Sequence, residues 1–473
     1  MSLLSLPAEI VQQICQEFCL HCQKAPSHKQ SYFTYADPYT PPEAETLINL
    51  CLACKFLAHI AQPYLYHRPL GPLFFPFVQI ITAKPELGRL VKHLSVARVL
   101  LPPGHLNDRR YNILDYVPAF LRACDHMKGT QLYQDARKCG FNPMPKSLVR
   151  RLNLLTLTTF DDERDALFIT CALSLMPNLT KLEIGLGRYW SFRWCQPNSL
   201  TSLRELTITQ GDVDQPPDGS AIRGLLEAAP ALEKLEFSEI IHELHEGTSP
   251  YLSHANIKEL IFNASTIAIN NLKTLMDGFP SLHTFRFGWD VMMIWSGFAR
   301  KWPTGGAMTE IVMRRNDTLR HLSLDLRFLY SRGAKRLQDL TGMSVLETLH
   351  IHGSMLPDET RHYARGILTI SEMLPSSIKE FAIMGGSDNY LWEEVLDLIT
   401  TSSVKHPHLQ RVIVASEDLD KEDCAHWVDT FTSACNEYSI KFSMDEPKQW
   451  KTLVKALTHR TKDDRFREFR PDP

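Results

Sequence analysis

Residues 179–184 (LTKLEI) and 203–208 (LRELTI) share one short pattern, with apolar residues at the first, fourth and sixth positions. The apolar–polar–apolar ending of each copy places two apolar side chains on one side of a short strand and the residues around them on the other. Successive copies therefore predict successive short strands. The pattern occurs eleven times, beginning at Val91, Val149, Leu179, Leu203, Leu232, Ile257, Leu282, Leu319, Leu346, Ile378 and Leu409.

The segments between these strands are predicted to be helical. Apolar, helix-like stretches cover residues 162–176, 220–229, 268–279 and 391–400, and a proline often closes such a stretch just before the next strand. Proline cannot continue a helix, so it marks the return into the strand. A lone strand–helix unit cannot bury its apolar face, whereas stacked units can.

Polar residues between the apolar anchors decide between two α/β architectures. A doubly wound sheet has strands that are buried on both faces and read as continuous apolar runs. Here Lys, Glu, Thr, Arg and His stand between the anchors, which indicates one polar face. The pattern resembles irregular leucine-rich-repeat proteins. That resemblance implies, for residues 71–445, a solenoid with parallel strands on its concave side and helices on its convex side.

Composition argues against several classes of protein. The chain has 473 residues, of which 44% are hydrophobic and 22% charged, so wholesale disorder is not expected. The formal net charge of −3 supplies no positive field for nucleic acid or an anionic membrane. We find no bilayer-length apolar run and no basic region of a secretory signal. Eleven scattered cysteines predict reduced thiols, and hence a cytoplasmic or nuclear protein.

A helical signal precedes the repeats, within residues 1–70. Residues 6–10 (LPAEI) predict the start of a helix, because Pro7 suits a first helical position. Residues 46–66 predict two short helices, since their apolar residues recur three and four positions apart. Between these segments, residues 24–45 contain four prolines and three tyrosines and are interpreted as an inserted loop. The chain is thus predicted to hold a small all-α module before the solenoid.

The helical segments resemble an F-box of fungal type. The family's Leu-Pro-x-Glu-Ile opening matches residues 6–10, its Cys-Lys-x-apolar core matches residues 54–57, and its closing Ala-Gln-Pro-x-Leu-Tyr matches residues 61–66. The resemblance implies that the module docks on the Skp adaptor of a cullin–RING ubiquitin ligase, while the repeats hold a protein substrate for ubiquitination. The candidate adaptor-binding residues are Leu6, Pro7, Ile10, Ile14, Cys54, Phe56 and Leu57.

A different interpretation needs no ubiquitin ligase. Every solenoid must cover its open ends, and the N-terminal helices would serve as such a cap on a repeat scaffold. The charged tail, residues 446–473, carries eight basic and five acidic residues and is predicted to be a frayed helix followed by a disordered end.

Enzyme chemistry is the weaker expectation. Cys15, Cys19, His21 and Cys22, with the later pair Cys51 and Cys54, offer a possible zinc set. Cys15 and Cys19 fall on the apolar side of a helix, however, where cysteine behaves as a small hydrophobe. We find no phosphate-binding glycine loop and no Gly-x-Ser-x-Gly nucleophile elbow. The sequence therefore predicts a non-catalytic subunit with no cofactor and no metal.

The polar face of the strands and the loops beyond them form the predicted substrate surface. Mixed charge on that face favours a protein ligand over a polyanion, and exposed aromatic and arginine side chains make strong contacts when a partner covers them. No nucleic-acid or membrane partner is expected. The candidate substrate-binding residues are Arg188, Tyr189, Trp190, Arg193, Trp194, Arg286, Trp289, His321, His350 and His352.

Overall fold

The computed structural model divides the chain into two compact units, Met1–Glu233 and Lys234–Pro473. Within them, some predicted features lie outside the part of the chain that is described, among them the repeat copy at Val149, most of the inserted loop and the charged tail. The described residues are 3–23, 42–69, 74–96, 169–170, 172–186, 192, 195–210, 219–238, 240, 252–263, 265, 267–288, 304–326, 337–356, 368–385, 389–415 and 425–444.

The first unit begins with helices and continues into a parallel sheet. Its sheet pairs β1 with β2 and β2 with β3, with His93 opposite Lys181 and Lys181 opposite Glu205. The described elements of this unit are α1 (Ala8–Phe18), α2 (Pro42–Ala53), α3 (Lys55–His67), α4 (Phe74–Ala83), α5 (Pro85–Gly88), β1 (His93–Val96), β2 (Lys181–Leu186), β3 (Glu205–Gln210) and α6 (Gly219–Ala228).

Helices α1 to α3 pack into one module with its own apolar core, so the predicted N-terminal helices are confirmed. The N-cap of α3 is Cys54, whose sulfur accepts a hydrogen bond from the Leu57 amide at 3.5 Å. One boundary was wrong: Pro42, placed in the inserted loop, begins α2, since proline is well tolerated at a first helical position. The buried core residues of the module are Val11, Cys15, Leu47, Leu57, Ile60 and Ala61.

The second unit is an ordered run of parallel strands with helices between them. Each strand pairs with the next strand along the chain, from β4 to β11. The described elements are β4 (Lys234–Ser238), β5 (Glu259–Asn263), α7 (Ile269–Gly278), β6 (Thr284–Gly288), α8 (Gly305–Val312), β7 (His321–Asp325), β8 (Thr348–His352), α9 (Ile370–Met373), β9 (Glu380–Met384), α10 (Asn389–Lys405), β10 (Arg411–Ala415), α11 (Ala425–Glu437) and β11 (Lys441–Ser443).

Alternation along the strands creates the core of the second unit. Leu235, Leu260, Phe285 and Leu322 occupy one register position in β4 to β7 and are at most 1% exposed. Two residues further along, on the same side of the strands, Phe237 stacks on Phe262 with their ring centroids 4.9 Å apart. The apolar anchors that marked each repeat are therefore the side chains that hold neighbouring strands together.

The predicted α/β class and parallel strands are confirmed, and the arrangement is compatible with a repeat solenoid. Each of the ten pattern copies within the described residues is followed, two residues after its start, by a strand. Strand β11 was not predicted, because its three residues do not carry the full pattern. The polar face was also wrong in one place: Ala382, Met384, Ile413 and Ala415 form a buried apolar cluster in β9 and β10.

Candidate functional site

Apolar side chains remain exposed on the helical module after its core is formed. Ile10 is 40% exposed and Phe56 46%, and Pro7 is also exposed. Leu6, Ile14 and Cys54 are half-buried, so they contribute only part of their surface. These six residues keep the accessibility that a docking surface needs.

Leu57 does not belong to that surface. It is 5% exposed and packs inside the module with Ile60 and Ala61. The three residues recur at spacings of three and four along α3, so they share the face turned towards α1 and α2. Its place among the adaptor-binding residues is therefore corrected.

Sequence reasoning missed two exposed apolar residues of the module. Leu52 is 78% exposed and Leu4 56% exposed. Leu52 stands near the end of α2 and Phe56 in the first turn of α3, with only Cys54 between the two helices. The signal that was missed is that Leu52 does not lie on the buried face of α2. A search for helical periodicity looks only for apolar residues on one face and ignores such a leucine.

The module is tied to the first strand of the sheet. The Lys92 amide, just before β1, donates a hydrogen bond to the His67 carbonyl at 2.9 Å. The rings of Tyr66 and Phe77 also approach each other, with centroids 6.2 Å apart. The end of α3 is thus held in place by both α4 and the sheet.

Cysteine and histidine side chains meet at this same end of α3. The possible ligand atoms of Cys19, His21, Cys22 and His67 all lie within 4.8 Å of one another. Burial raises the pKa of Cys22 to about 12 and lowers that of His67 to about 4, with Cys19 and His21 respectively adding to those shifts. Both groups are therefore neutral at pH 7.

The other cysteines of the predicted set have different roles. Cys15 is fully buried in the module core, and burial raises the pKa of its thiol and of the Cys51 thiol. Cys54 caps α3, as its sulfur accepts the Leu57 amide. Sequence reasoning missed His67 as a member of the cluster, because it stands 45 residues after Cys22.

The buried trio, defined as His93, Lys181 and Glu183, lies at the start of β1 and β2. Glu183 Oε1 is 2.9 Å from Lys181 Nζ and 3.3 Å from His93 Nε2, although the histidine contact is poorly aligned as a hydrogen bond. Burial opposes ionisation of Glu183, but His93 and Lys181 outweigh it and hold its pKa well below its usual range. Burial lowers the pKa of His93, because it disfavours the charged imidazolium.

The open trio, defined as His350, Glu380 and Arg411, combines the same kinds of group on β8 to β10. His350 Nε2 donates to Glu380 Oε1 at 2.7 Å, and Arg411 NH1 lies 3.3 Å from Glu380 Oε2. The hydrogen bond from His350 is the main cause that lowers the pKa of Glu380. Arg411 Nε is buried and has no hydrogen-bond partner, so one donor of this guanidinium is unsatisfied.

A cavity of about 320 Å³ opens beside the open trio. Glu347 lies at the rim of the cavity and forms ion pairs with Arg320 at 2.9 Å and Lys379 at 3.2 Å. Both signs of charge and neutral hydrogen-bonding groups thus line one concavity. The lining residues are Glu347, Thr348, Lys379, Glu380, Gln410, Arg411 and Lys441.

The predicted substrate-binding residues divide into several groups. His321 is exposed on the sheet face and contacts Thr348 Oγ1 at 3.0 Å, while Arg286 pairs with Glu259 at 3.2 Å. His352 is half-buried, and its Nδ1 lies 2.9 Å from Ser354 Oγ. Those outside the described residues are Arg188, Tyr189, Trp190, Arg193, Trp194 and Trp289.

His350 requires a correction among these candidates. It is 5% exposed, because its ring is engaged by Glu380 below the surface, so it positions the carboxylate rather than offering open contact area. Lys379 and Gln410, which line the cavity, were missed. Each stands at the second position of its repeat copy, just before the strand, where the pattern treats every residue as variable.

Comparisons with known proteins do not place the chain in a family. A scan against models of protein families finds no match, and neither does a search of curated proteins. Within the described residues, no helix combines the length and apolarity that crossing a membrane requires. The residues and contacts above are therefore the basis for a function.

Proposed function

We propose that this protein is an F-box-type substrate receptor of a Skp–cullin–RING ubiquitin ligase. In this proposal the N-terminal module binds the Skp adaptor, and the leucine-rich-repeat solenoid presents a protein substrate for ubiquitination. The chain contributes no catalytic group or cofactor of its own. It acts in the cytoplasm or nucleus, where its cysteines stay reduced.

One observation carries the proposal. The three sequence segments that resemble the F-box pieces belong to helices α1 and α3, which pack with α2 around one core. That core leaves Ile10, Leu52 and Phe56 exposed. Complete burial of a fully exposed side chain of this kind is worth about 1.5–3 kcal/mol, and Ile10 and Phe56, which are 40% and 46% exposed, would contribute part of that.

The second unit supports the substrate half of the proposal. Repeated strand–helix units bring polar residues from distant positions in the chain to one face of the parallel strands. Around the cavity, Glu347 and Glu380 alternate with Lys379 and Arg411. A surface of mixed sign recognises a protein with complementary charges, whereas a polyanion requires a predominantly basic surface.

A second function has one specific observation in its favour. The hydrogen bond from Lys92 to His67 joins the helical module to the first strand, as a cap on the repeats would. In that alternative the chain is an interaction scaffold outside the ubiquitin system. Capping buries the α3 end of the module and makes no use of Ile10 or Phe56.

Adaptor binding by the full-length chain tests the proposal. Purified chain is mixed with recombinant Skp adaptor, and affinity is measured by calorimetry or interferometry for the wild type and for an Ile10→Asp, Phe56→Asp double variant. The double variant is expected to bind at least about 100-fold more weakly, because each aspartate must be desolvated in the interface. Val404→Asp is the matched control, since Val404 is an 84% exposed apolar residue of the second unit.

The two functions give opposite results in this experiment. Binding that is lost in the double variant and kept in the Val404→Asp control supports the F-box function. Failure of the wild-type chain to bind the adaptor overturns it and favours the scaffold. Circular dichroism of each variant shows whether a loss of binding reflects a loss of fold.

A further inference from the structure

The end of the helical module brings two thiols and two imidazoles together. Cys19 Sγ and Cys22 Sγ each lie 3.6 Å from Nδ1 of His67. Cys22 Sγ also lies 3.9 Å from Nδ1 of His21. One imidazole nitrogen therefore faces both sulfurs, and the second imidazole flanks them.

Local structure holds these side chains in place from two distant parts of the chain. Cys19 is the residue after α1, where its amide donates to the Gln16 carbonyl at 3.2 Å. The turn that follows is closed by the Gln23 amide, which donates to the Cys19 carbonyl at 3.0 Å, and it carries His21 and Cys22. His67 is the last residue of α3.

The two separations from His67 match the edges of a zinc tetrahedron, and the remaining ligand atoms lie within 4.8 Å. With Zn–S near 2.3 Å and Zn–N near 2.0–2.1 Å, a tetrahedral site has sulfur–nitrogen separations of about 3.6 Å. The geometry points to a structural Zn²⁺ site formed by Cys19, His21, Cys22 and His67. The Cys-x₂-Cys spacing from Cys19 to Cys22 is one that zinc sites use.

The chemistry of the set selects the metal. Two soft thiolates and two imidazoles with no carboxylate favour zinc over the hard cations Mg²⁺ and Ca²⁺. Zinc bound by two thiolates and two neutral imidazoles is electrically neutral, so the partly buried site holds no uncompensated charge. Cys19 is 1% exposed whereas Cys22 is exposed, so the metal has a path in from the Cys22 side.

A metal at this place has a defined structural effect. It cross-links the turn after α1 to the end of α3 and so closes the module. Through His67, whose carbonyl accepts the Lys92 amide at 2.9 Å, it also fixes the contact with the entry to β1. The site thus stabilises the helical module whether or not that module binds an adaptor.

Metal analysis of the full-length protein tests the site. The chain is purified without chelator, desalted, and assayed for zinc by elemental analysis, with Zn²⁺ alone added back to chelator-treated samples. About one zinc per chain is expected, and Co²⁺ substitution is expected to give the visible spectrum of a tetrahedral ion with thiolate ligands. Cys19→Ser with Cys22→Ser is expected to weaken zinc binding by at least about 100-fold.

Two further variants keep the test decisive. Cys51→Ser is the matched control, because Cys51 is a half-buried cysteine of the same module outside the cluster, and it should retain zinc. Cys22→His should also retain it, with a cobalt spectrum that has less thiolate character. The site is overturned if wild-type protein binds no zinc, if the double variant still holds it, or if cobalt is octahedral. A Cys19–Cys22 disulfide in protein prepared in reducing buffer would overturn the site as well.

Discussion

The buried trio and the open trio place the same three kinds of group on neighbouring strands in different surroundings. In each, a histidine contacts a glutamate on the next strand. Lys181 holds Glu183 from the same strand, at the oxygen that His93 also contacts, whereas Arg411 holds the other oxygen of Glu380 from a third strand. Side chains of His93 and Glu183 are 5% and 11% exposed, whereas Glu380 is 25% exposed and adjoins a cavity. The buried trio therefore ties two strands together, whereas the open trio has solvent-accessible surface that a partner can contact.

Removing the charge of each glutamate should separate the two roles. Glu183→Gln is expected to cost about 2 kcal/mol, because Lys181 loses the counter-charge of a carboxylate that is only 11% exposed. Glu380→Gln should cost less than about 1 kcal/mol, since Glu380 and Arg411 are 25% and 37% exposed and water screens their ion pair. The measurement is the free energy of opening of β2 and β9 amides by native-state hydrogen exchange. Equal costs at the two sites would contradict the comparison.

Acid should weaken the buried trio through His93. Its pKa in the folded chain is lowered from the ordinary value of 6.5, so the unfolded chain takes up a proton that the folded chain refuses. Stability of the first unit therefore falls as the pH drops below that value, at up to about 1.4 kcal/mol per pH unit for one proton. His93→Gln should remove this share of the slope, measured by urea unfolding from pH 7 to 5. An unchanged slope in the variant would argue against the assignment.

Reversing the cation of the open trio should affect binding more than folding. Arg411→Glu is expected to change stability by less than about 1 kcal/mol, because its side chain is 37% exposed. Substrate captured from lysate by the wild type should bind the variant at least about tenfold more weakly. Arg204→Glu, at a 52% exposed ion pair of the first unit, is the control for charge reversal. The same loss in both variants would mean that the cavity has no special role.

The rim of the cavity should show the smallest effect on folding. Arg320 is 51% exposed where it pairs with Glu347. Exposed pairs contribute about 0.2–1 kcal/mol, so Arg320→Ala should shift stability by no more than about 1 kcal/mol. The change in stability is measured by thermal unfolding and compared with that of the Glu183→Gln variant. A larger cost would place this pair with the buried trio.

Much of the fold was readable because the information is local. An apolar residue, followed by another three and five positions later, specifies which side of a strand is buried, and ten copies obey it within the described residues. The helices after Pro7 and around Phe56 were equally readable from periodicity. The buried cluster on β9 and β10 was not predicted, because these two strands carry apolar residues on both sides, including Ala382 and Ile413. When both sides of a strand are apolar, alternation no longer shows which side is polar.

The sites were less readable because they depend on which segments meet. Cys19 and His67 are 48 residues apart, and only the packing of α1 against α3 brings sulfur and nitrogen to 3.6 Å. Leu57 and Phe56 are adjacent in sequence, yet one is buried and the other exposed, since each helical position turns through about 100°. A list of apolar residues in a motif does not distinguish the two.

By itself the sequence determined the order of strands and helices and the alternation that fills the core, because these follow from spacing along one chain segment. Only the tertiary structure decided which polar groups pair across strands and how deeply they lie. Glu183 is the fifth residue of its repeat copy and Glu380 the third, and both fall on the polar side of their strands. The groups packed around each one make Glu183 a buried tie and Glu380 a surface group. Burial is a property of the neighbours that fold around a residue, and those neighbours come from distant parts of the chain.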